Sequence, residues 1–174
     1  MWETVKQNSR LLAIALTTIL VAIIVWVVFG VRDTITQPIE YNHKIHVEEA
    51  DLICLDCHLS VETMSSAMIP NIEICMDCHS DEPISDSPEE IKLLKYIEEE
   101  EQIPWQKIYS VPNHVYFSHR RHVTIGDLEC SNCHGNVEEL ETPAPYPIWE
   151  PTMDNCIDCH KEHKVTFDCL SCHR

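Results

Sequence analysis

The ten cysteines of this chain fall into five C-x-x-C pairs, and each pair is followed at once by a histidine. The pairs are Cys54/Cys57, Cys75/Cys78, Cys130/Cys133, Cys156/Cys159 and Cys169/Cys172; the histidines are His58, His79, His134, His160 and His173. C-x-x-C-H is the attachment motif of a c-type haem. Two thiols bond the two vinyl groups of one porphyrin edge, and the adjacent imidazole ligates the iron from the proximal side. Structural zinc uses C-x-x-C pairs in twos to complete a tetrahedron, which an odd number of pairs does not satisfy. Disulfides in an oxidising compartment leave the five histidines unexplained. A thioredoxin-like motif needs a βαβ pattern beside it, and the sequence has none. The expected cofactors are five c-type haems.

Six histidines remain: His43, His46, His114, His119, His122 and His163. Five irons need up to five distal ligands, so bis-histidine coordination is expected throughout. Such irons sit at lower potential than Met/His irons. With both axial positions filled they bind no substrate, so the chain reads as a wire and not as a haem catalyst. Met64, Met68, Met76 and Met153 are alternative axial ligands, but methionine more often fills irregular apolar gaps.

An internal repeat supports this assignment. "YNHKIHVEEADLICLDCH" (Tyr41 to His58) and "FSHRRHVTIGDLECSNCH" (Phe117 to His134) share an aromatic, a polar residue, H-x-x-H and D-L-x-C-x-x-C-H. "PNIEICMDCH" (Pro70 to His79) matches "PTMDNCIDCH" (Pro151 to His160) in the same way. Two histidines at i and i+3 share a helix face, so they cannot grip one iron from opposite sides and must serve different haems. His43 is expected on the first haem and His119 on the third, with His46 and His122 reaching other haems. His163 and His114 compete for the last place, and His163 is slightly favoured.

The elements that must position these residues are few. "LLAIALTTILVAIIVWVVFG" (Leu11 to Gly30) carries no charged side chain. Twenty helical residues span roughly 30 Å, the thickness of a bilayer core. Lys6 and Arg10 precede it, and Arg32 with Asp33 follows. By the positive-inside rule the N-terminal tip is expected in the cytoplasm and the rest on the periplasmic side. "VVFGVRD" offers no small-residue cleavage site, so an uncleaved single-pass anchor in the inner membrane is expected.

Setting aside Glu3, Lys6, Arg10 and Arg32 leaves residues 33–174 with 28 acids and 9 Lys and Arg. That balance excludes nucleic acid as a partner, since phosphate binding needs a basic face.

The fold class expected is mainly α with long irregular loops, a haem-packed multihaem cytochrome with one N-terminal transmembrane helix. Residues 1–32 form the tip and anchor, 33–86 a dihaem module, 87–110 a linker helix and 111–174 a trihaem module. In the linker, "SPEEIKLLKYIEEEEQIPW" has Ser87 as N-cap, Pro88 at the first helical position and Glu90 completing a capping box. Ile91, Leu94 and Ile97 form its apolar stripe. The acidic run Glu98 to Glu101 reads as a solvated face, with docking of a basic partner the sharper reading.

With the two H-x-x-H…C-x-x-C-H stretches in place, the chain resembles the cytochrome c3/c7 class of multihaem proteins. "QPIEYNHKIH", "SPEEI…IPW", "VYFSHRRH", the N-terminal apolar helix and five motifs carry the likeness further. They are similar to the pentahaem cytochrome subunit of alternative complex III. That resemblance implies a quinol-oxidising respiratory or photosynthetic membrane complex that delivers electrons to a periplasmic acceptor. It implies polytopic quinol-binding membrane subunits, an iron–sulfur subunit and a monohaem cytochrome c as partners. The related hexahaem subunit of a quinone reductase complex has one haem more than is found here and matches less well. A freestanding quinol dehydrogenase cytochrome and an electron-storage cytochrome of another membrane complex are the alternatives.

Overall fold

The computed structural model describes residues 2–30, 34–80 and 82–173, so Arg32 and Asp33, on which the membrane-anchor argument draws, lie outside the described residues. The chain divides into two compact units, residues 1–34 and 35–174.

The first unit is one helix, α1 (Trp2–Phe29). Its described side chains, at 11–12 and 14–27, are exposed all round, Trp26 at 68 %. The hydroxyls of Thr17 and Thr18 donate back to the carbonyls of Ile14 and Ala15 at 2.8 and 2.9 Å, which satisfies the polar atoms of an otherwise apolar surface. Among the described residues, no helix is long and apolar enough to cross a membrane. The longest unbroken run of described side chains in α1 is 14–27, short of the roughly 17–25 residues of a span.

The second unit is built of short helices on long loops. These are α2 (His43–Glu48), α3 (Cys54–Cys57), α4 (Ile72–Met76), α5 (Pro88–Glu98), α6 (Ser131–His134), α7 (Met153–Glu162) and α8 (Cys169–Cys172). A π-helical turn covers Arg121–Ile125 and a 3-10 turn Val137–Glu139. Every C-x-x-C pair has at least one cysteine in one of these helices, as the spacing predicts, although Cys78 lies just past the end of α4. No strand forms among the described residues; one isolated bridge joins Val115 to His173.

The protein core is small. Ile39, Ile72, Leu93 and Ile103 form its buried cluster, with Cys75, Tyr96, Ile97 and Trp105 packed against it. Val61 is buried separately. Reciprocal hydrogen bonds between Gln37 and the Gln106 backbone, both 2.9 Å, tie the segment before α2 to the segment after α5. The same N-terminal segment also reaches the loop after the third motif. Ile35 N donates to Pro145 O at 2.7 Å and Lys44 N to Leu140 O at 3.1 Å.

Helix α5 departs from expectation in two ways. Ser87 caps it by accepting from Glu89 N at 3.3 Å, but Glu90 does not complete the box. Its carboxylate turns inward to other partners. The buried face runs through Glu90, Leu93, Leu94 and Ile97, while Ile91 is 55 % exposed. The apolar periodicity is therefore anchored one position earlier than the sequence suggests, on an acid. Glu98 to Glu101 are exposed, as a solvated face requires.

Truncating the buried Leu93→Ala should lower stability by about 2–3 kcal/mol, whereas Ile91→Ala should stay within about 0.5 kcal/mol. Denaturation of the two haem-loaded variants followed by circular dichroism checks this; equal losses would contradict the buried face.

Candidate functional site

Each H-x-x-H segment enters a short helix through the same local geometry. In the first, the Tyr41 ring sits edge-on to His43 at 4.7 Å and stacks on His46 at 4.4 Å. In the second, Phe117 meets His119 edge-on at 4.9 Å and stacks on His122 at 4.8 Å. His46 Nδ1 lies 2.7 Å from Asn42 O, and His122 Nδ1 lies 2.8 Å from Ser118 O. Leu52 N donates to His46 O and Leu128 N to His122 O, both at 3.2 Å. Both turns close through an aspartate with positive φ, Asp51 at 56° and Asp127 at 53°, a conformation that aspartate tolerates better than most residues. The aromatic that opens each repeat is thus the wall on which both histidines rest, a role that sequence reading did not assign it.

A carbonyl oxygen only accepts, so each bonded Nδ1 carries the proton and Nε2 is left with a free lone pair. The same arrangement holds at His58 (Met68 O, 3.2 Å), His119 (Ser65 O, 3.1 Å) and His160 (Thr166 O, 2.6 Å). At His79 the partner is the Glu90 carboxylate, 2.8 Å away. His43 Nδ1 is buried with no partner. Burial, then the neighbouring His58 and His46, pushes His43 down to about 4. His119 and His134 are lowered by burial first. Neutral imidazole is the form that ligates metal.

The histidines meet in pairs. Ring centroids lie 6.3 Å apart for His46 and His79, 6.4 Å for His119 and His134, 6.1 Å for His122 and His160, and 5.5 Å for His114 and His173. For His43, His58 is the charged group that lowers it most after burial. With each nitrogen about 2.0 Å from a shared metal, opposed imidazoles have centroids roughly 6 Å apart. Each pair joins one C-x-x-C-H histidine to one of the other six.

Of the two candidates for the fifth motif, His114 lies beside His173. The Val115–His173 bridge and a 2.7 Å bond from Tyr116 N to Cys172 O lay the His114 segment along the fifth motif. His163 instead ends α7 as its C-cap, with its backbone N bonded to Cys159 O, its side chain exposed and no ring contact among the described residues. Met64, Met68, Met76 and Met153 are all exposed.

The thiols show how the motifs neighbour one another. Burial is the main cause that raises Cys57, Cys75, Cys130, Cys133 and Cys156; thiols of adjoining motifs come next for the last four, and for Cys57 they follow Asp56 and Cys54. Cys57 feels Cys78, and Cys75 feels Cys57. Cys130 feels and hydrogen-bonds Cys54. Cys133 feels Cys159, and Cys156 feels Cys172. The second motif thus neighbours the first, the first the third, the third the fourth and the fourth the fifth. The first–third junction is fixed by His119 N to Ser65 O at 3.0 Å, Arg120 N to Met64 O at 3.1 Å and the Thr124 hydroxyl to Glu62 O at 2.8 Å. Behind the third motif, Gly135 has φ 65°, and a Cβ there would lie 3.1 Å from Ile148 Cγ2. Tyr109 covers His134 edge-on at 4.6 Å and takes a hydrogen bond from Ile148 N at 3.0 Å.

The residues fit c-type haem. All ten thiols are free, and four pairs of imidazoles lie 5.5 to 6.4 Å apart, centroid to centroid. Among the described residues, no group of three or more His, Cys, Asp or Glu is placed to hold a metal ion directly.

Comparison with known proteins agrees with this chemistry. Residues 115–174 match the family of cytochrome c7 and related cytochrome c. The multihaem cytochrome c subunit of menaquinone reductase from Nitratidesulfovibrio vulgaris is 36 % identical over 98 residues, 56 % of this chain and 45 % of that protein. The chain thus spans a little under half the length of the relative it matches. A quinone reductase subunit is the kind of relative that the motif count ranks second to the subunit of alternative complex III.

Proposed function

We propose that this chain is a membrane-anchored pentahaem cytochrome that relays electrons within a quinone-linked membrane complex. The observation that carries the reading is the meeting of four of the five C-x-x-C-H histidines with four of the other six, ring against ring at 5.5 to 6.4 Å. Haem iron, when bound, supplies a centre that takes up and gives up one electron.

The protein's own residues do the rest. The ten cysteines fix five sites covalently. His58, His79, His134, His160 and His173 are the proximal ligands. His43, His46, His119, His122 and His114 face them in that order of motifs: first, second, third, fourth and fifth. Hydrogen bonds at Nδ1 hold most of these rings at one angle and one tautomer. Each H-x-x-H turn ties two neighbouring sites together, the first with the second and the third with the fourth. With a histidine held on each side, a bound haem would have no position left for a substrate.

Anchoring rests on the uncharged stretch from Leu11 to Gly30, with the N-terminus cytoplasmic and the cysteine-bearing unit periplasmic. The partners follow from the resemblances: polytopic quinol-binding subunits, an iron–sulfur subunit and a monohaem cytochrome c. In the alternative-complex-III-like reading, electrons come from quinol and leave to a periplasmic acceptor. The menaquinone reductase relative favours a second reading with the direction reversed, in which the chain passes electrons toward quinone.

Native purification from membranes in mild detergent separates these readings. The chain should arrive with polytopic and iron–sulfur partners, and added quinol should reduce its haems. Reduction only by an external donor, with electrons passed on to added quinone, establishes the reversed direction. Arrival alone with quinol reduction intact makes it a freestanding quinol dehydrogenase.

Ligand identity has its own check. His114→Ala should turn one of five low-spin irons high-spin in the electron paramagnetic resonance spectrum, while His163→Ala leaves all five low-spin. The opposite result would give the fifth site to His163.

A further inference from the structure

The imidazoles with a bonded Nδ1 use a backbone carbonyl as partner at five positions and a side chain at one. His79 is the exception, and its partner Glu90 is among the few buried polar residues of the unit, 7 % exposed. The Glu90 carboxylate takes three further hydrogen bonds. Ile84 N donates to Oε1 at 2.9 Å, Ser85 N donates to Oε2 at 2.8 Å, and the Ser85 hydroxyl also donates to Oε2. The Ser85 oxygen meanwhile accepts from Ser87 N at 3.2 Å, which directs its proton toward Glu90.

Three of the four bonds thus come from groups that act as donors, so the carboxylate has only acceptor roles left for His79. Its position is also rigid. Glu90 opens the buried face of α5, and the 84–87 turn is folded onto it.

We propose that Glu90 is a positioning residue that, through His79 Nδ1, lowers the reduction potential at the second motif, one end of the row. A carboxylate draws the Nδ1 proton more strongly than a carbonyl does. The ring becomes more basic at Nε2 and stabilises the more positively charged iron, so the oxidised form is favoured. One electron enters on reduction, no bond is made or broken, and the Nδ1 proton stays between His79 and Glu90. The inference rests on the haem reading under Proposed function.

The test is a potentiometric titration of the full-length haem-loaded protein, followed by visible absorption and electron paramagnetic resonance, with haem count by intact mass. Glu90→Gln keeps the shape and removes the charge. It should raise one midpoint by a factor of ten or more in the reduction equilibrium, about 59 mV for one electron, and leave the other four in place. Ser85→Ala removes a competing donor and leaves the carboxylate, so the same midpoint should move down. That opposite sign is one that a merely structural role for Glu90 does not give, and it also serves if Glu90→Gln fails to accumulate.

Five midpoints unchanged by Glu90→Gln, or one raised by Ser85→Ala, would overturn this inference and leave the haem reading standing. A wild-type chain without five covalent haems would overturn the haem reading and this inference together.

Discussion

An imidazole has two nitrogens, and only one can face a metal. The other must be given a partner or be buried without one, and which of these happens decides where the ring points. Six rings here are held through Nδ1, five by backbone carbonyls and one by a carboxylate. The five carbonyls lie in loops and turns, and the carboxylate in the first turn of α5, which is why so irregular a fold is specific. The loop after the first motif supplies Met68 O to its own histidine and Ser65 O to His119 of the other repeat. The first and third motifs are joined through it. The turn after α7, passing through Lys164 at φ 54°, brings Thr166 O back to His160. Regular secondary structure is scarce because its usual task, satisfying backbone groups while covering a large apolar core, is small here. Five buried apolar side chains are all the core that the described residues hold.

What was legible in the sequence was local. C-x-x-C-H is a five-residue pattern whose meaning depends on adjacency, and the structure places a short helix at each pair. The repeat was legible too, because Tyr41 and Phe117 stand at the same offset from the same histidines, and the structure builds the two turns alike down to Asp51 and Asp127. That the two histidines of H-x-x-H meet different partners followed from helix geometry alone. Which second site each histidine meets did not follow. His46 meets His79 and His122 meets His160 across loops whose course depends on tertiary hydrogen bonds. His163, three residues after His160, faces away from the fourth site and so reads as free to reach a neighbour. A backbone pairing near Val115 sets His114 beside the fifth motif instead, and such pairing has no signature in residue type.

Helix α5 shows how a correct element can be read with the wrong face. Ser87, Pro88 and Glu90 form a standard helix start, and the helix does start there. Assigning Glu90 to the cap removed it from consideration as a buried group and set the stripe on Ile91. The physical reason for the shift is His79. Burial alone would raise the Glu90 carboxyl, but the bonds from Ser85, Ile84 and His79 outweigh it and hold the group down at about 2. An acid so well supplied with donors can occupy a core position that composition assigns to isoleucine.

The account stands on the order of the five motifs in space, since both the pairing of histidines and the relay depend on it. Iron positions from anomalous diffraction, or an electron cryo-microscopy map of the native complex, test it directly. The account predicts five irons in one unbroken row, in the order second, first, third, fourth, fifth, with His114 on the last. A row in sequence order, or a gap between the irons of the first and third motifs, would contradict it.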